Sequence, residues 1–423
     1  MSGCRASLSA LQIISGMTPM ILSCRSLLFV IALAAVAVGP CSAAAPDPNF
    51  YYKLSTVFRG PGLVLDVFNG GPHNNMTRLE RSQEVTGQFW RIAPAGGGNY
   101  RLTTLFRGST MCLDIHNGGP FNDQPHLAQC ANFSGQFWSL TEEGGRVKLK
   151  TQFRGPGMCL DIFNGGPSNN QPHLVNCANF TGQQWVLTRT QYPVVCILGA
   201  PPSGFDAFYT KHCSVMGLPV LASAEVPDQA LEMAAGVAHA MLSRLPRVRD
   251  ELVRRKVKIG IIGKNQKQRT LPEYRGLDPS YDDRARGLGA TDAIPMTSGA
   301  EENLLCLAED RYRGESIFLH EFAHTMAVMG LAHTDGNFGS RLAWAYRQTM
   351  DSGLWRNTYA ATNEQEYWAE GVQSYFDTNI EVNPPNGIHN HVNTRAELRT
   401  YDRRLHDLVD SVFAGTPRPR ICP

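Results

Sequence analysis

The sequence predicts two folded domains of different class: an all-β domain comes first, and a mixed α/β domain follows it. Three closely similar segments fill residues 50–190, and within each segment short apolar runs alternate with Gly, Pro and Asn turns. Such alternation is typical of short strands joined by hairpins. The repeat ends near residue 190, and the remaining residues combine a buried strand with helical stretches. A chain of 423 residues is long enough for two such domains.

Composition and charge are those of a globular protein without a nucleic-acid partner. Hydrophobic residues make up 43% of the chain and charged residues 18%. Lys plus Arg number 39 and Asp plus Glu number 37, and no block of like charge stands out. Nucleic-acid binding draws most of its affinity from neutralised phosphates. We therefore expect no nucleic-acid partner.

The N-terminal segment has the three regions of an export signal. Arg25 precedes an apolar run at residues 27–38, Pro40 ends that run, and small residues follow at positions 42–45. The run is too short to span a bilayer, which takes about 20 apolar residues. We therefore predict a signal peptide at residues 1–45, a secreted, extracellular protein, and no transmembrane segment.

The cysteine count and the glycosylation motifs agree with an extracellular location. Eight cysteines follow the predicted leader, and an even number suits an oxidising compartment in which disulfides persist. Three Asn-x-Ser/Thr motifs, which accept N-linked glycans in a eukaryotic host, begin at Asn75, Asn132 and Asn179. The expected product is a disulfide-bonded glycoprotein.

Each of the three repeats carries the same landmarks in the same order. These are Phe-Arg-Gly, Leu-Asp, Asn-Gly-Gly-Pro and a closing Gly-Gln-x-Trp. Their Phe, Asp and Trp residues recur after 48 and then 47 residues, at Phe58, Phe106 and Phe153, at Asp66, Asp114 and Asp161, and at Trp90, Trp138 and Trp185. A repeat this regular indicates one supersecondary unit used three times, each unit burying its apolar face against its neighbours.

The three repeats resemble the ricin-type lectins, β-trefoil proteins named for their Gln-x-Trp motif. The resemblance implies a β-trefoil lectin domain at residues 46–190, with the Trp residues in its core and a carbohydrate as its ligand. In that family an Asp, an aromatic ring and polar groups near the Gln-x-Trp motif hold the sugar. The matching candidates here are Asp66, Asp114, Asp161, Asn117, Asn164, Gln136 and Gln183.

One element of the lectin pattern is missing from this chain. The usual stacking aromatic is replaced by Ala128 in repeat two and by Val175 in repeat three. The rings that remain available nearby are His126, His173, Phe68 and Phe163. The alternative interpretation is that the Asp residues and the Asn-Gly-Gly-Pro segments only build turns, with each Asp bonded to local backbone.

The cysteines of the repeats agree with the lectin resemblance. Cys112 and Cys130 in repeat two match Cys159 and Cys177 in repeat three, and both pairs are 18 residues apart. Repeat one lacks both members, as expected if the two cysteines are bonded to each other. We therefore predict disulfides Cys112–Cys130 and Cys159–Cys177.

Four further cysteines, Cys196, Cys213, Cys306 and Cys422, allow three pairings. We favour Cys196–Cys213 with Cys306–Cys422, because the first two are near neighbours in the sequence.

The second domain, residues 191–423, has a mixed α/β pattern. Residues 257–262 read Val-Lys-Ile-Gly-Ile-Ile, which predicts a buried strand, and residues 231–245 have helical spacing. Residues 315–329 contain no Gly or Pro and predict a helix.

Within that last helix lies His320-Glu-Phe-Ala-His324. Histidines four residues apart lie on one helix face, so that their two imidazoles can bind one Zn²⁺, with Glu321 beside the open coordination position. The alternative is a pair of histidines packed in a core.

A second helix, predicted from Asn363 onward, offers carboxylates. Glu366 and Glu370 share one face because they are four residues apart. A carboxylate is a usual third protein ligand of a catalytic zinc, and a second carboxylate can orient a ligand histidine through its free N–H. Spacing alone does not choose between the two glutamates.

Together these segments resemble the zinc domain of the anthrax lethal factor family, within the gluzincin metallopeptidases. The shared motifs are His-Glu-Phe-x-His, a Tyr, and Thr-Asn-Glu-x-Glu followed by two aromatics and Ala-Glu, over residues 315–376. The resemblance implies a zincin-like metallopeptidase domain with one catalytic Zn²⁺. The implied roles are zinc ligands for His320, His324 and Glu366, general base for Glu321, oxyanion donor for Tyr359, and support of a ligand for Glu370.

The expected activity is that of a secreted zinc endopeptidase. It would hydrolyse a protein or glycoprotein substrate, to which its lectin domain directs it. The alternative is a carbohydrate-binding lectin or toxin component whose zincin domain is structural and non-catalytic. Glu321 favours the enzyme, because a zinc site kept only for folding has no use for a base.

Overall fold

A computed structural model of the chain describes residues 45–421. The predicted signal peptide therefore lies outside the described residues, except for its last residue, and so does Cys422. Within the described range no helix is both long enough and apolar enough to cross a bilayer.

The three repeats fold as a β-trefoil, which confirms the predicted all-β class. The strands are β1 (Phe50–Thr56), β2 (Leu63–Val67), β3 (Thr77–Arg81), β4 (Trp90–Gly96), β5 (Asn99–Thr104), β6 (Gly108–Ile115), β7 (Pro125–Gln129), β8 (Trp138–Glu143), β9 (Arg146–Thr151), β10 (Met158–Ile162), β11 (Pro172–Asn176) and β12 (Trp185–Pro193). Strands β4, β1, β12, β9, β8 and β5 pair in that order, and β5 pairs back with β4, so that they close a barrel. The hairpins β2–β3, β6–β7 and β10–β11 supply one two-stranded unit from each repeat.

The tryptophans of the Gln-x-Trp motifs are fully buried in the core of the trefoil, as predicted. The indole Nε1 of Trp90 donates to the carbonyl oxygen of Leu65 at 2.9 Å. Trp138 and Trp185 make the equivalent bonds in the other repeats. The last strand runs to Pro193, slightly beyond the predicted boundary at residue 190.

The described disulfides match the predicted pairing. Cys112–Cys130, Cys159–Cys177 and Cys196–Cys213 are bonded. Cys306 is disulfide-bonded as well, and its predicted partner Cys422 lies outside the described residues.

The C-terminal region mixes helices with one sheet, as predicted. Its strands are β13 (Lys211–Val215), β14 (Leu218–Ala222), β15 (Lys258–Ile262), β16 (Gly287–Leu288) and β17 (Met296–Ala300). Its helices are α1 (Asp228–Leu242), α2 (Pro246–Arg254), α3 (Tyr281–Arg284), α4 (Glu301–Leu304), α5 (Ile317–Thr325), α6 (Ala332–Thr334), α7 (Phe338–Asp351), α8 (Glu364–Tyr375), α9 (Arg395–Tyr401) and α10 (Arg403–Phe413).

The sheet has the strand order β13-β14-β15-β17-β16. Strands β14, β15 and β17 are parallel, whereas β13 and β16 pair antiparallel at the two edges. The predicted strand at residues 257–262 is β15, and the predicted helix at 315–329 is α5 together with the π-helical turn Met326–Leu331 that continues it. Helix α5 packs against both β17 and α8, which brings the two motif-bearing helices together.

Candidate functional site

Helices α5 and α8 begin at well-defined N-caps and are joined by a buried hydrogen bond. Ser316 caps α5 by accepting from the backbone N–H of Leu319, and Asn363 caps α8 by accepting from two backbone N–H groups. The indole Nε1 of Trp368 on α8 donates to the carbonyl oxygen of Ala323 on α5 at 3.0 Å, and both residues are fully buried. These contacts turn the polar faces of the two helices toward each other.

Three potential metal ligands meet between these helices. His320 Nε2 and His324 Nε2 are 3.0 Å apart, and each lies 3.1 Å from Glu366 Oε2. The three atoms form a group that can hold a metal ion. Two imidazole nitrogens with one carboxylate oxygen are a donor set of catalytic zinc sites that keep a fourth position open. The residues therefore fit a zinc ion.

The charges around the cluster also favour a cation. Burial lowers the pKa of His320, but the carboxylates of Glu366, Glu321 and Glu370 outweigh it and raise that pKa to about 10. Burial raises the pKa of Glu366, yet hydrogen bonds to His320 and His324 bring it well below its usual value. Several carboxylates thus face two imidazoles in a largely buried site.

The orientation of His320 is fixed by a residue that sequence reasoning missed. Gln373 Oε1 lies 2.8 Å from His320 Nδ1, and Gln373 Nε2 donates to the carbonyl oxygen of Ser316 at 3.2 Å. The second bond sets the amide orientation, so Nδ1 donates to Gln373 and Nε2 is the nitrogen directed into the cluster. Gln373 lies seven residues after Glu366 on the same helix face, and this spacing was the available signal.

Glu370 lies close to His320 without bonding to it directly. Its Oε1 is 3.7 Å from His320 Nδ1, and its Oε2 accepts from Asn379 Nδ2 at 2.9 Å. Burial raises the pKa of this carboxyl. Its contribution to the site is therefore electrostatic, while the hydrogen bond to the imidazole comes from Gln373.

Glu321 and Tyr359 line a cavity of about 580 Å³ together with the three potential ligands. The Tyr359 side chain is 41% exposed, and its Oη donates to Glu366 Oε1 at 3.3 Å. Burial and the neighbouring Glu366 carboxylate raise the pKa of Tyr359 to about 12. The phenol therefore stays protonated at neutral pH and remains a hydrogen-bond donor.

Two glycines form the wall of the cavity opposite α5, and sequence reasoning did not identify them. A Cβ on Gly287 would lie 2.9 Å from Glu321 Cγ, and one on Gly289 would lie 2.8 Å from His324 Cβ. Edge strand β16 can therefore approach the motif helix only because these positions have no side chain.

In each repeat of the trefoil, the same hydrogen bond joins the candidate Asp to the Gln of the Gln-x-Trp motif. The Gln side-chain nitrogen donates to an Asp oxygen in the pairs Gln88–Asp66 (2.8 Å), Gln136–Asp114 (3.0 Å) and Gln183–Asp161 (3.1 Å). The other Asp oxygen accepts from the next backbone N–H at 2.7 Å in every repeat. Gln136 and Gln183 are fully buried, so their side chains orient the Asp residues and are not open to solvent.

The nearby rings pair with side chains of the chain itself. His116 stacks on His126 at 3.7 Å between ring centroids, and Phe163 stacks on His173 at 3.5 Å. In repeat one, the Arg78 guanidinium lies 4.5 Å from the Phe68 ring centroid. Asn117 and Asn164 are exposed on the turns that follow.

Two aromatic side chains that sequence reasoning missed stand free on the trefoil surface. Phe133 is 62% exposed and Phe180 is 60% exposed. Each lies two residues before Gly135 or Gly182, where an added Cβ would collide with Oδ1 of Asp114 or Asp161. Each exposed ring therefore lies two residues from a glycine whose backbone packs closely against the candidate Asp. Repeat one has Val85 at this position.

Comparison with known proteins bears on the trefoil. Residues 51–191 match the family described as ricin-type beta-trefoil lectin domain. No curated protein matches the chain significantly.

Two of the similar solved structures are matched over nearly their whole length by part of this chain. One is the designed threefold symmetric protein ThreeFoil, with 27% identity, 34% of this chain and 99% of that chain covered, and a TM-score of 0.28. The other is the Macrolepiota procera ricin B-like lectin in complex with lactose. It has 16% identity to this chain, the match covers 34% of this chain and 99% of that chain, and the TM-score is 0.28. From the family match, together with the barrel and its three hairpins, residues 51–191 form a ricin-type β-trefoil lectin domain.

Proposed function

We propose that the C-terminal region is a zinc endopeptidase and that the lectin domain directs it to glycosylated proteins. The observation that carries the proposal is the convergence of His320 Nε2, His324 Nε2 and Glu366 Oε2 within 3.0–3.1 Å of one another. Two further groups suited to peptide hydrolysis, Glu321 and Tyr359, line the same cavity. This combination favours a catalytic site over a structural one, because a structural zinc site needs neither a base nor an open cavity.

In this proposal His320, His324 and Glu366 hold one Zn²⁺. When bound, the ion supplies Lewis acidity toward water and toward the substrate carbonyl. Glu321 accepts the proton of the attacking water and passes it to the leaving amine, which is the role of a general base and then of a general acid. Tyr359, kept protonated by its raised pKa, donates a hydrogen bond to the oxyanion as negative charge develops there.

Secretion is part of the same proposal. The bonded cysteine pairs Cys112–Cys130, Cys159–Cys177 and Cys196–Cys213 support it, because disulfides persist in oxidising compartments. Fractionation of a producing cell, with detection of the chain in medium and in lysate, tests this part directly.

The carbohydrate sites of the lectin domain are proposed to lie in repeats two and three. There Phe133 and Phe180 offer free aromatic faces, and Asp114 and Asp161 are held in place by buried Gln side chains. Aromatic faces are large apolar platforms against which a sugar ring can pack. Repeat one has the Asp but no ring at the corresponding position, so we expect it to contribute least.

The experiment combines metal analysis with digestion of casein. The purified chain should contain about one equivalent of zinc, digest casein, lose activity on treatment with a chelator, and regain it with added Zn²⁺. Zinc bound without any hydrolysis of casein or of glycoprotein substrates would favour the alternative, a lectin with a structural metal site.

A further inference from the structure

A second large cavity lies between the lectin domain and the C-terminal region. It measures about 590 Å³ and shares no lining residue with the cavity of the histidine cluster. Tyr51, Leu105 and Tyr192 line it from the lectin side, and Met233 and Ala240 of helix α1 line it from the other. A volume of this size, with a mainly apolar lining, is in the range of small-molecule sites, roughly 300–1,000 Å³.

One oxygen of a buried carboxyl group in this cavity lacks a hydrogen-bond partner among the described residues. Glu232 on α1 is only 6% exposed and lines the cavity. Ser109 hydrogen-bonds to the carboxyl group, but Oε2 has no hydrogen-bond partner among the described residues. Buried polar atoms in folded proteins are nearly always hydrogen-bonded. The free oxygen therefore points to a polar atom that the chain itself does not supply.

Helix α1 also leaves open space in front of this carboxyl. Gly236, one turn after Glu232, lines the same cavity, and a Cβ placed there would meet nothing within 4 Å. A glycine inside a helix lowers its stability relative to alanine, and no close packing requires one here. Its effect in this structure is to keep the cavity open beside Glu232.

We propose that this cavity binds a small, uncharged apolar molecule that carries a hydroxyl group, with the hydroxyl hydrogen-bonded to Glu232 Oε2. The rings of Tyr51 and Tyr192 and the aliphatic side chains would enclose the apolar body. A hydroxyl is the suitable polar group because it can both donate to a carboxylate and accept from a carboxylic acid.

Charged head groups fit the same surroundings less well. Asp228 already disfavours a negative charge on Glu232, so a ligand carboxylate would add a negative charge in a buried place that disfavours one. The positive charges of Arg91 and Arg420 both act to lower the pKa of Tyr51, and Arg420 lines the cavity. A ligand ammonium would be repelled by these charges. Burial, with Asp228 adding to it, raises the pKa of Glu232 to about 8, so the group is mostly uncharged at neutral pH.

The test uses the full chain and isothermal titration calorimetry with 1-decanol at pH 7. Decanoate and decylamine serve as charged probes of the same chain length. We expect 1-decanol to bind and the two charged probes to bind at least about tenfold more weakly, the ratio expected for one well-placed hydrogen bond in a buried site.

Two variants locate the binding. Gly236→Leu should fill the cavity and abolish binding of 1-decanol, whereas Gly339→Leu is the matched control, because Gly339 is exposed on helix α7 and also has open space around its Cβ. Glu232→Leu should weaken the binding of 1-decanol about tenfold. A thermal melting curve checks that this variant is folded. No binding of 1-decanol to the wild type, undiminished binding to Gly236→Leu, or tighter binding of either charged probe would overturn the proposal.

Discussion

The orientation of His320 depends on one buried amide. Gln373 bridges His320 Nδ1 and the carbonyl oxygen of Ser316, so replacing it with an apolar residue frees the imidazole to rotate. We expect Gln373→Leu to weaken zinc binding by about 10–100-fold, as is usual when the outer partner of a ligand histidine is lost. Competition with a chromophoric chelator measures this affinity. Gln348→Leu, at an exposed position of α7, is the control, and equal affinities of the two variants would contradict the assignment.

The two glutamates of α8 should respond differently to the same substitution. Glu366 Oε2 lies 3.1 Å from both Nε2 atoms, whereas Glu370 is oriented toward the far side of His320. We therefore expect Glu366→Gln to lose zinc and Glu370→Gln to retain it, as measured by metal content after dialysis. The opposite result would exchange the roles of the two residues.

Glu232 should make the stability of the protein depend on pH. The carboxyl of the unfolded chain ionises near pH 4.5, but in the folded state its pKa is raised to about 8. Between these values the folded state binds more protons, so stability falls as pH rises across this window. Glu232→Gln should remove that fall, and melting temperatures of both proteins between pH 5 and pH 8 test it. Parallel pH profiles would show that Glu232 does not carry the effect.

At the scale of the element, the lectin repeats are linked through their Phe-Arg-Gly motifs. Arg59, Arg107 and Arg154 each donate to an Asn side chain in the Asn-Gly-Gly-Pro loop of another repeat, at 2.6–2.9 Å. The repeated motif therefore joins neighbouring units.

The exposed rings of repeats two and three give the clearest test of carbohydrate binding. Phe133→Ala with Phe180→Ala should abolish binding on a glycan array while leaving the melting temperature nearly unchanged, because both side chains are mostly exposed. Val85→Ala, the corresponding change in repeat one, is the control. Array binding that survives the double variant would place the sugar elsewhere on the trefoil.

The sequence predicts best where the determining residues are close together along the chain. The repeated Gln-x-Trp motifs predict the trefoil through their resemblance to the ricin-type lectins, and the cysteines shared by repeats two and three predict the bonds Cys112–Cys130 and Cys159–Cys177. Helical spacing predicts that His320 and His324 share a face. These patterns are local, because the residues that form each pattern lie close together in the sequence.

The missed residues depend on packing between distant segments. Gly287 belongs to an edge strand that approaches α5 only in the folded sheet, and Glu232 becomes a cavity residue only when α1 lies against the lectin domain. Phe133 could not be singled out in the sequence, because an apolar residue is usually buried and its exposure here depends on how the turn is placed. No periodicity along the chain encodes these contacts.

At the scale of the whole molecule, the lectin domain and the C-terminal region are joined by more than the chain connection. The backbone N–H of Val194, just after the last trefoil strand, donates to the carbonyl oxygen of Asn49 at 2.7 Å. Arg420, near the other end of the C-terminal region, donates to the carbonyl oxygen of Glu84 in repeat one at 2.9 Å. Bonds at both ends hold the two parts together, as expected if the lectin domain directs a substrate to the cavity lined by Glu321, as we propose.

The most direct measurement of the central proposal is the rate of casein hydrolysis by zinc-loaded Glu321→Ala relative to the wild type. Glu321 lines the cavity beside the three ligands without being one of them. We therefore predict an unchanged zinc content with a rate about 10³-fold lower, within the range that a general base contributes. Glu309→Ala, at an exposed glutamate of the same region, should keep the wild-type rate. A Glu321→Ala variant that binds zinc and digests casein at the wild-type rate would contradict the account.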